Sequence, residues 1–177
     1  ARKYNLPFRS GGGFTSSTMP DAQSAYEAMM TMMPTFLSGV NWVMHTAGWL
    51  EGGLVSSYEK FIIDCDQLSM MQRFAGGIDL SENGQAMDAI REVGPGKHFL
   101  GCAHTQANFK SAFWRSDLLD YKPFETWDEE GARDTVALAR VRVNKLLTDY
   151  QKPAMDPAVE EALNDYVARK KASMPDA

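Results

Sequence analysis

The chain has 177 residues, 18 Lys plus Arg against 23 Asp plus Glu, and a formal charge of −5. With 44% hydrophobic and 23% charged residues it falls in the ordinary globular class, and its length fits one domain, 1–177. Mild acidity without a Lys/Arg stripe argues against nucleic acid, Phe36 to Leu50 is too short and too polar for a membrane span, and Cys65 and Cys102 form no CxxC, so a reducing cytoplasm is expected.

Tyr4 to Arg9 is short and β-compatible, and Gly11, Gly12 and Gly13 let the backbone turn as it leaves, which predicts a first strand. Pro20 and Asp21 then open a helix with Ala22, Ala25, Tyr26, Met29, Met33, Phe36 and Leu37 at helical spacing, ended by Gly39. Val40 to Thr46 predicts a second strand. Ser56 and Glu59 stand at capping-box spacing ahead of Phe61, Ile62, Cys65, Leu68 and Met71, predicting a long helix toward Phe74. Ser81 to Val93 reads as a shorter helix closed by Gly94, and Pro95 and Gly96 turn the chain into a third strand, Lys97 to Gly101. Thr126 and Glu129 cap a helix through about Tyr150, and Asp156 and Pro157 open a last one through about Lys171.

Strands alternating with long helices predict an α/β fold of parallel βαβ units. A closed eight-stranded barrel takes about 250 residues, and the chain opens at Ala1 without an initiator Met. The expectation is the C-terminal part of a TIM-type (β/α)8 barrel, with βα units in 1–105 and long helices in 106–177. Such a part exposes strand edges and apolar helix faces, so a homo-oligomer and a missing N-terminal barrel half are expected to cover them.

By strand alternation Asn5, Pro7 and Arg9 share one face, as do Asn41, Val43 and His45. Arg9 and His45 then close their strands where barrel active sites sit, and His104 follows the third strand. Each also has a plainer role open to it, an ion pair for Arg9 and a satisfied core position for the histidines. Cys102-Ala103-His104 lacks two further ligands, so no metal is expected. Met29, Met30, Met32 and Met33 read as core filling. Trp49, Phe109, Phe113 and Trp114 follow the second and third strands, as core or as a cage for a methylated ammonium. Gly11 to Gly13 is neither GxGxxG nor a phosphate loop.

The stretches GGGFTSSTMPDAQSAYEAMM, LSGVNWVMHTAGWLEGGLVSSYEKFIIDCD and EVGPGKHFLGCAHT, with Trp127, resemble in order and spacing the trimethylamine methyltransferase superfamily. The resemblance runs from Arg9 to about Tyr166. It implies a barrel enzyme that moves a methyl group from a methylated amine to the cobalt of a separate corrinoid protein, with no corrinoid bound by this chain itself. The trimethylamine enzymes carry pyrrolysine at or beside the position of Ser10, where an ordinary residue stands here. That departure points to the pyrrolysine-free group acting on quaternary amines such as glycine betaine. Trimethylamine as substrate, or a non-catalytic betaine-binding paralogue, are the alternatives.

Within the resemblance Arg9 and His45 are the first candidates for a betaine carboxylate, since Arg offers a planar fork and His⁺ a further donor. Phe14, Trp49 and Phe109 are cage candidates. Glu51 attracts the cation or pairs with a basic neighbour. His104 and Thr105 match a family-like HT pair that orients substrate contacts or meets the corrinoid partner.

Overall fold

A computed structural model describes residues 1–174, so the last three positions of the expected domain lie outside the described residues. Two compact units divide the chain, Ala1–Asn144 and Lys145–Ala177.

In the first unit, β1 (Arg9–Gly11) and β2 (Trp42–Met44) pair in parallel, Arg9 opposite Trp42, Ser10 opposite Val43 and Gly11 opposite Met44. The crossover between them is α1 (Ala22–Leu37), so one βαβ unit stands as expected and the fold is mixed α/β. Asp21 starts α1 by accepting the Ser24 N–H at 2.9 Å. Ser24, Ala28 and Met32, four residues apart, form its buried stripe, and Met32 packs directly onto Gly12. Ser10 and Val43 are half-buried, whereas Arg9, Trp42 and Met44 on the opposite face are exposed.

Both strands are shorter than expected. Residues Arg2–Tyr4 form a 3₁₀ turn, Asn5 reverses the chain at φ 52°, and the Leu6 N–H returns to the Ala1 carbonyl at 3.1 Å. Pairing is delayed until the Asn41 side chain takes the Phe8 N–H at 2.9 Å, so Arg9 opens β1 instead of closing it.

A hairpin that the sequence did not announce follows β2. β3 (Trp49–Leu50) pairs antiparallel with β4 (Val55–Ser56) around a 3₁₀ turn at Glu51–Gly53. α2 (Tyr58–Ala75) comes next, with Ser57 as N-cap, its hydroxyl accepting the Lys60 N–H at 3.2 Å. The cap is one residue later than the expected Ser56, and Glu59 turns outward to Arg140 Nε at 2.9 Å.

The helix expected over 81–93 is two, α3 (Glu82–Gln85) and α4 (Met87–Val93). Ala86 at φ 51° separates them, its N–H closing α3 on the Glu82 carbonyl. Ala89, Val93 and Cys102 form a small core there. Lys97 to Gly101 is not a strand. Gly94 and Gly96 are left-handed, the Phe99 carbonyl accepts the Cys102 N–H at 3.2 Å and the Leu100 carbonyl accepts Gln106 Nε2 at 3.0 Å. These local bonds lead into α5 (Ala103–Asn108) and leave no ladder to form.

The helix expected from Thr126 to Tyr150 is likewise split, into α6 (Phe124–Glu129) and α7 (Thr135–Asp149). Gly131 and Ala132 take left-handed φ between them, and Asp134 restarts the helix by accepting the Ala137 N–H at 2.7 Å. Within the second unit, α8 (Pro157–Ala172) has Asp156 accepting the Ala158 N–H, Pro157 at its first position, and Arg169, Lys170 and Lys171 in its last turn. That order of charges suits the helix dipole. Among the described residues no helix is long and apolar enough to cross a membrane.

Candidate functional site

The C-terminal ends of β1 and β2 release two loops, and the loops meet. Gly13 lies against Thr46 so closely that a Cβ on Gly13 would stand 2.9 Å from the Thr46 carbonyl carbon and nearer still to its oxygen. Only glycine fits there, because φ is +72° as well. This contact sets Phe14 beside His45. Their ring centroids are 6.3 Å apart and tilted by 47°, and the His45 ring meets Trp49 edge-on at 5.5 Å and 76°.

Strand alternation alone would send His45 to the Val43 side. It turns off that path because its backbone is left-handed, at φ 60°, a conformation that costs a non-glycine residue energy and clusters at functional positions. Phe14 faces the Gly11 side, since a Cβ on Gly11 would touch its ring at 3.0 Å. Arg9 shares that side with Trp42 and Met44 by register, and its Nε–H points to Met44 Sδ at 3.2 Å. The expectation that Arg9 and His45 share a face through strand parity is therefore corrected. Arg9 comes from the start of β1 and is next to His45's chain neighbour, while His45 joins through its backbone turn.

Two buried or clamped carboxylates hold the loops. Glu27 on α1 accepts the Thr15 hydroxyl at 2.7 Å and the Ser16 N–H at 2.6 Å, with Gln23 adding a third bond at 3.0 Å. The Thr15 hydroxyl above all, then the Ser16 N–H, holds the Glu27 carboxyl below its ordinary value. Asp64 on α2 accepts the Gly48 N–H at 2.9 Å and pairs with Lys60, one helical turn away; Asp64 is 2% exposed and Lys60 fully buried. Burial pushes the Asp64 carboxyl up, against the pull of the Lys60 ammonium and the Gly48 N–H. The hairpin is tied to the Phe14 loop in turn, with Glu51 N–H on the Ser17 carbonyl at 2.9 Å and Gly52 N–H on the Thr15 carbonyl at 2.8 Å.

Of the sequence candidates, Phe14, His45 and Trp49 come together, Arg9 reaches Met44, the residue before His45, Glu51 follows Trp49 by two positions, and Ser10 sits half-buried on the opposite face of β1. Glu51 is exposed and left-handed at φ 50°, and among the described residues its carboxylate enters no ion pair. His104 and Phe109 stand apart. His104 lies inside α5 with Nε2 on the Asn83 carbonyl at 2.7 Å, and Thr105 bonds the Cys102 thiol at 3.2 Å. Phe109 caps α5, is 55% exposed, and has Lys110 Nζ 5.6 Å from its ring centroid. Among the described residues no group of three His, Cys, Asp or Glu is placed to hold a metal.

The family model for trimethylamine methyltransferase matches residues 1–175. This chain belongs to the trimethylamine methyltransferase family. The resemblance read from the motifs is thereby confirmed. Among curated members, the chain is 42% identical over 170 residues to a glycine betaine methyltransferase of Desulfitobacterium hafniense strain Y51, covering 96% of this chain and 35% of that one. It is 30% identical to a trimethylamine methyltransferase of D. hafniense strain DCB-2, covering 94% and 33%. It is also 30% identical to a proline betaine:corrinoid methyltransferase of Eubacterium limosum, covering 94% and 35%. The chain thus spans about a third of the length of these members of the family.

Proposed function

We propose that the protein takes a methyl group from a quaternary amine of the glycine betaine type and passes it to a corrinoid carried by a separate protein. The observation that carries this reading is the meeting of Phe14, His45 and Trp49, within an aromatic edge-to-face distance, in a chain 42% identical to a glycine betaine methyltransferase. A methylated ammonium is attracted to ring faces, most strongly to Trp. In the reading, Phe14 and Trp49 hold the cation, His45 fixes their spacing, and Arg9 and His45 receive the carboxylate. Glu51, which enters no ion pair among the described residues, adds attraction for the cation, whereas Ser10, on the opposite face of β1, bears on the choice of substrate only through the family pattern.

The corrinoid is a substrate here, and its reduced cobalt supplies the nucleophile. For a quaternary amine the C–N bond breaks to leave a neutral tertiary amine, so no proton need be donated. The work of this chain is then to orient one methyl for in-line attack and to keep water from the ammonium. A tertiary amine would have to leave as an anion unless activated first, and the ordinary residue at Ser10 favours the quaternary substrate over trimethylamine. His104 and Thr105, on α5, are left for the corrinoid partner's side of the exchange. The exposed Arg9–Trp42–Met44 face is the face that further strands of a TIM-type barrel would cover.

The test is to incubate the intact gene product with reduced corrinoid protein and glycine betaine or trimethylamine. Dimethylglycine formed from glycine betaine supports the proposal. Dimethylamine formed from trimethylamine in its place supports the tertiary-amine reading, and tight betaine binding without product supports a non-catalytic paralogue.

A further inference from the structure

We propose that Asp64, neutralised by Lys60, is a positioning residue that fixes the loop bearing His45 and Trp49 by holding the backbone of Gly48. The inference rests on the functional reading above and names how its site is kept in shape.

Gly48 lies between His45 and Trp49 and is buried. Its φ is +85°, and a Cβ there would press on Phe61 at 3.2 Å, so the backbone runs hard against α2. Both of its polar groups are taken by that helix. The N–H goes to Asp64 Oδ2 at 2.9 Å and the carbonyl accepts the Ser57 N–H at 2.9 Å. The loop is therefore fixed to α2 at Gly48, and the two rings whose edge-on contact defines the site lie on either side of it.

The chemistry of the holder is unusual for this place. The buried residues of α2 include two of opposite charge, Lys60 and Asp64, which are removed from water together. A buried ion pair is commonly no more stabilising than an apolar pair of the same volume. What an apolar pair lacks is an acceptor for the Gly48 N–H, which has no strand partner at that φ. The charge on Asp64 makes that bond strong, and Lys60 at i−4 on the same helix removes the cost of leaving the charge alone. Neither side chain is placed in contact with the rings, so neither is expected to touch substrate.

Two double variants of the intact gene product separate positioning from general stability. Lys60→Met with Asp64→Asn removes both charges and keeps a carbonyl acceptor for Gly48. Lys60→Met with Asp64→Leu removes the acceptor too, at similar volume. Glycine betaine is titrated into each, and the His45 ring signal is followed by NMR of ¹³C-histidine-labelled protein, assigned by its loss in His45→Gln. The Asn variant is expected to bind within roughly twofold of the parent. The Leu variant is expected to bind roughly tenfold more weakly, with its His45 signal shifted away from the parent position as the Trp49 ring moves off. Equal binding and equal His45 shifts in the two variants would overturn the proposal. If the parent binds no methylated amine, the functional reading fails, and the His45 shifts still decide the positioning claim. Should the Leu variant not fold, amide exchange in the parent decides: a protected Gly48 N–H supports the clamp and a freely exchanging one refutes it.

Discussion

Replacing Gly13 with Ala isolates the contact that brings the two loops together. The backbone at φ +72° is left-handed, a region that costs a residue with a Cβ roughly 1–2 kcal/mol. The new Cβ would in addition stand 2.9 Å from the Thr46 carbonyl carbon, and the atom in the way is backbone, which cannot swing aside as a side chain does. Forcing an extra carbon into such a packed place costs about 1–3 kcal/mol more. The total, about 2–5 kcal/mol, is a large part of the roughly 5–15 kcal/mol that holds a domain folded. Gly52→Ala is the matched control, because Gly52 has a similar φ of +65° and nothing within 4 Å of its Cβ position, so only the conformational part applies. Urea unfolding of both variants in the intact protein measures the difference. Gly13→Ala is expected to lose about 1–3 kcal/mol more than Gly52→Ala and to weaken betaine binding, as Phe14 is pushed from His45. Equal losses would show that the Gly13–Thr46 approach is not what sets the two loops.

Other outcomes follow from the same geometry. Trp49→Ala should weaken glycine betaine binding about 2- to 30-fold, the range of a desolvated cation–π contact of about 0.5–2 kcal/mol, while Phe109→Ala, on α5, leaves it unchanged; calorimetric titration reads both. Ser57→Ala removes the N-cap of α2 and should cost about 1 kcal/mol, seen as a lower unfolding midpoint. Glu27 carries a folded-state value below its ordinary 4.5, so its contribution to stability is present above 4.5 and lost as the pH falls through the lower folded value. An acid titration of unfolding should accordingly be shallower in Glu27→Gln than in the parent over that window, and superimposable curves would remove Glu27 as the clamp on Thr15 and Ser16.

The parts of the fold legible in the sequence were those governed by local chemistry. Asp21 before an apolar 3.6-residue period, and Asp156 followed by Pro157, each specify a helix start within their own few residues, and both helices begin there. Where non-local bonds decide, local pattern does not specify the structure. The first strand was placed too early because nothing near Tyr4 reveals that Asn41 supplies the partner for Phe8. Lys97 to Gly101 has strand-like composition, yet no partner edge reaches it and its carbonyls are used by the next helix. The site shows the same division. His45 and Trp49 are legible because they follow a strand, but parity does not show how Arg9 and His45 meet: register puts Arg9 opposite Trp42, on the face away from Val43, and the left-handed backbone of His45 resets the alternation. Asp64 and Lys60 were missed altogether. The available signal was an i, i+4 opposite-charge pair interrupting an apolar helical run, which reads as a solvated pair until burial is known.

The central claim, that the rings of Phe14 and Trp49 recognise a quaternary ammonium, is tested most directly by comparing glycine betaine with 3,3-dimethylbutanoate, its uncharged-head isostere, in titrations of the intact protein. The two have the same shape and carboxylate and differ only in the positive charge. Glycine betaine is expected to bind about 2- to 30-fold more tightly, and Trp49→Ala to remove most of that preference. Equal affinity for the two, or a preference that survives Trp49→Ala undiminished, would contradict it.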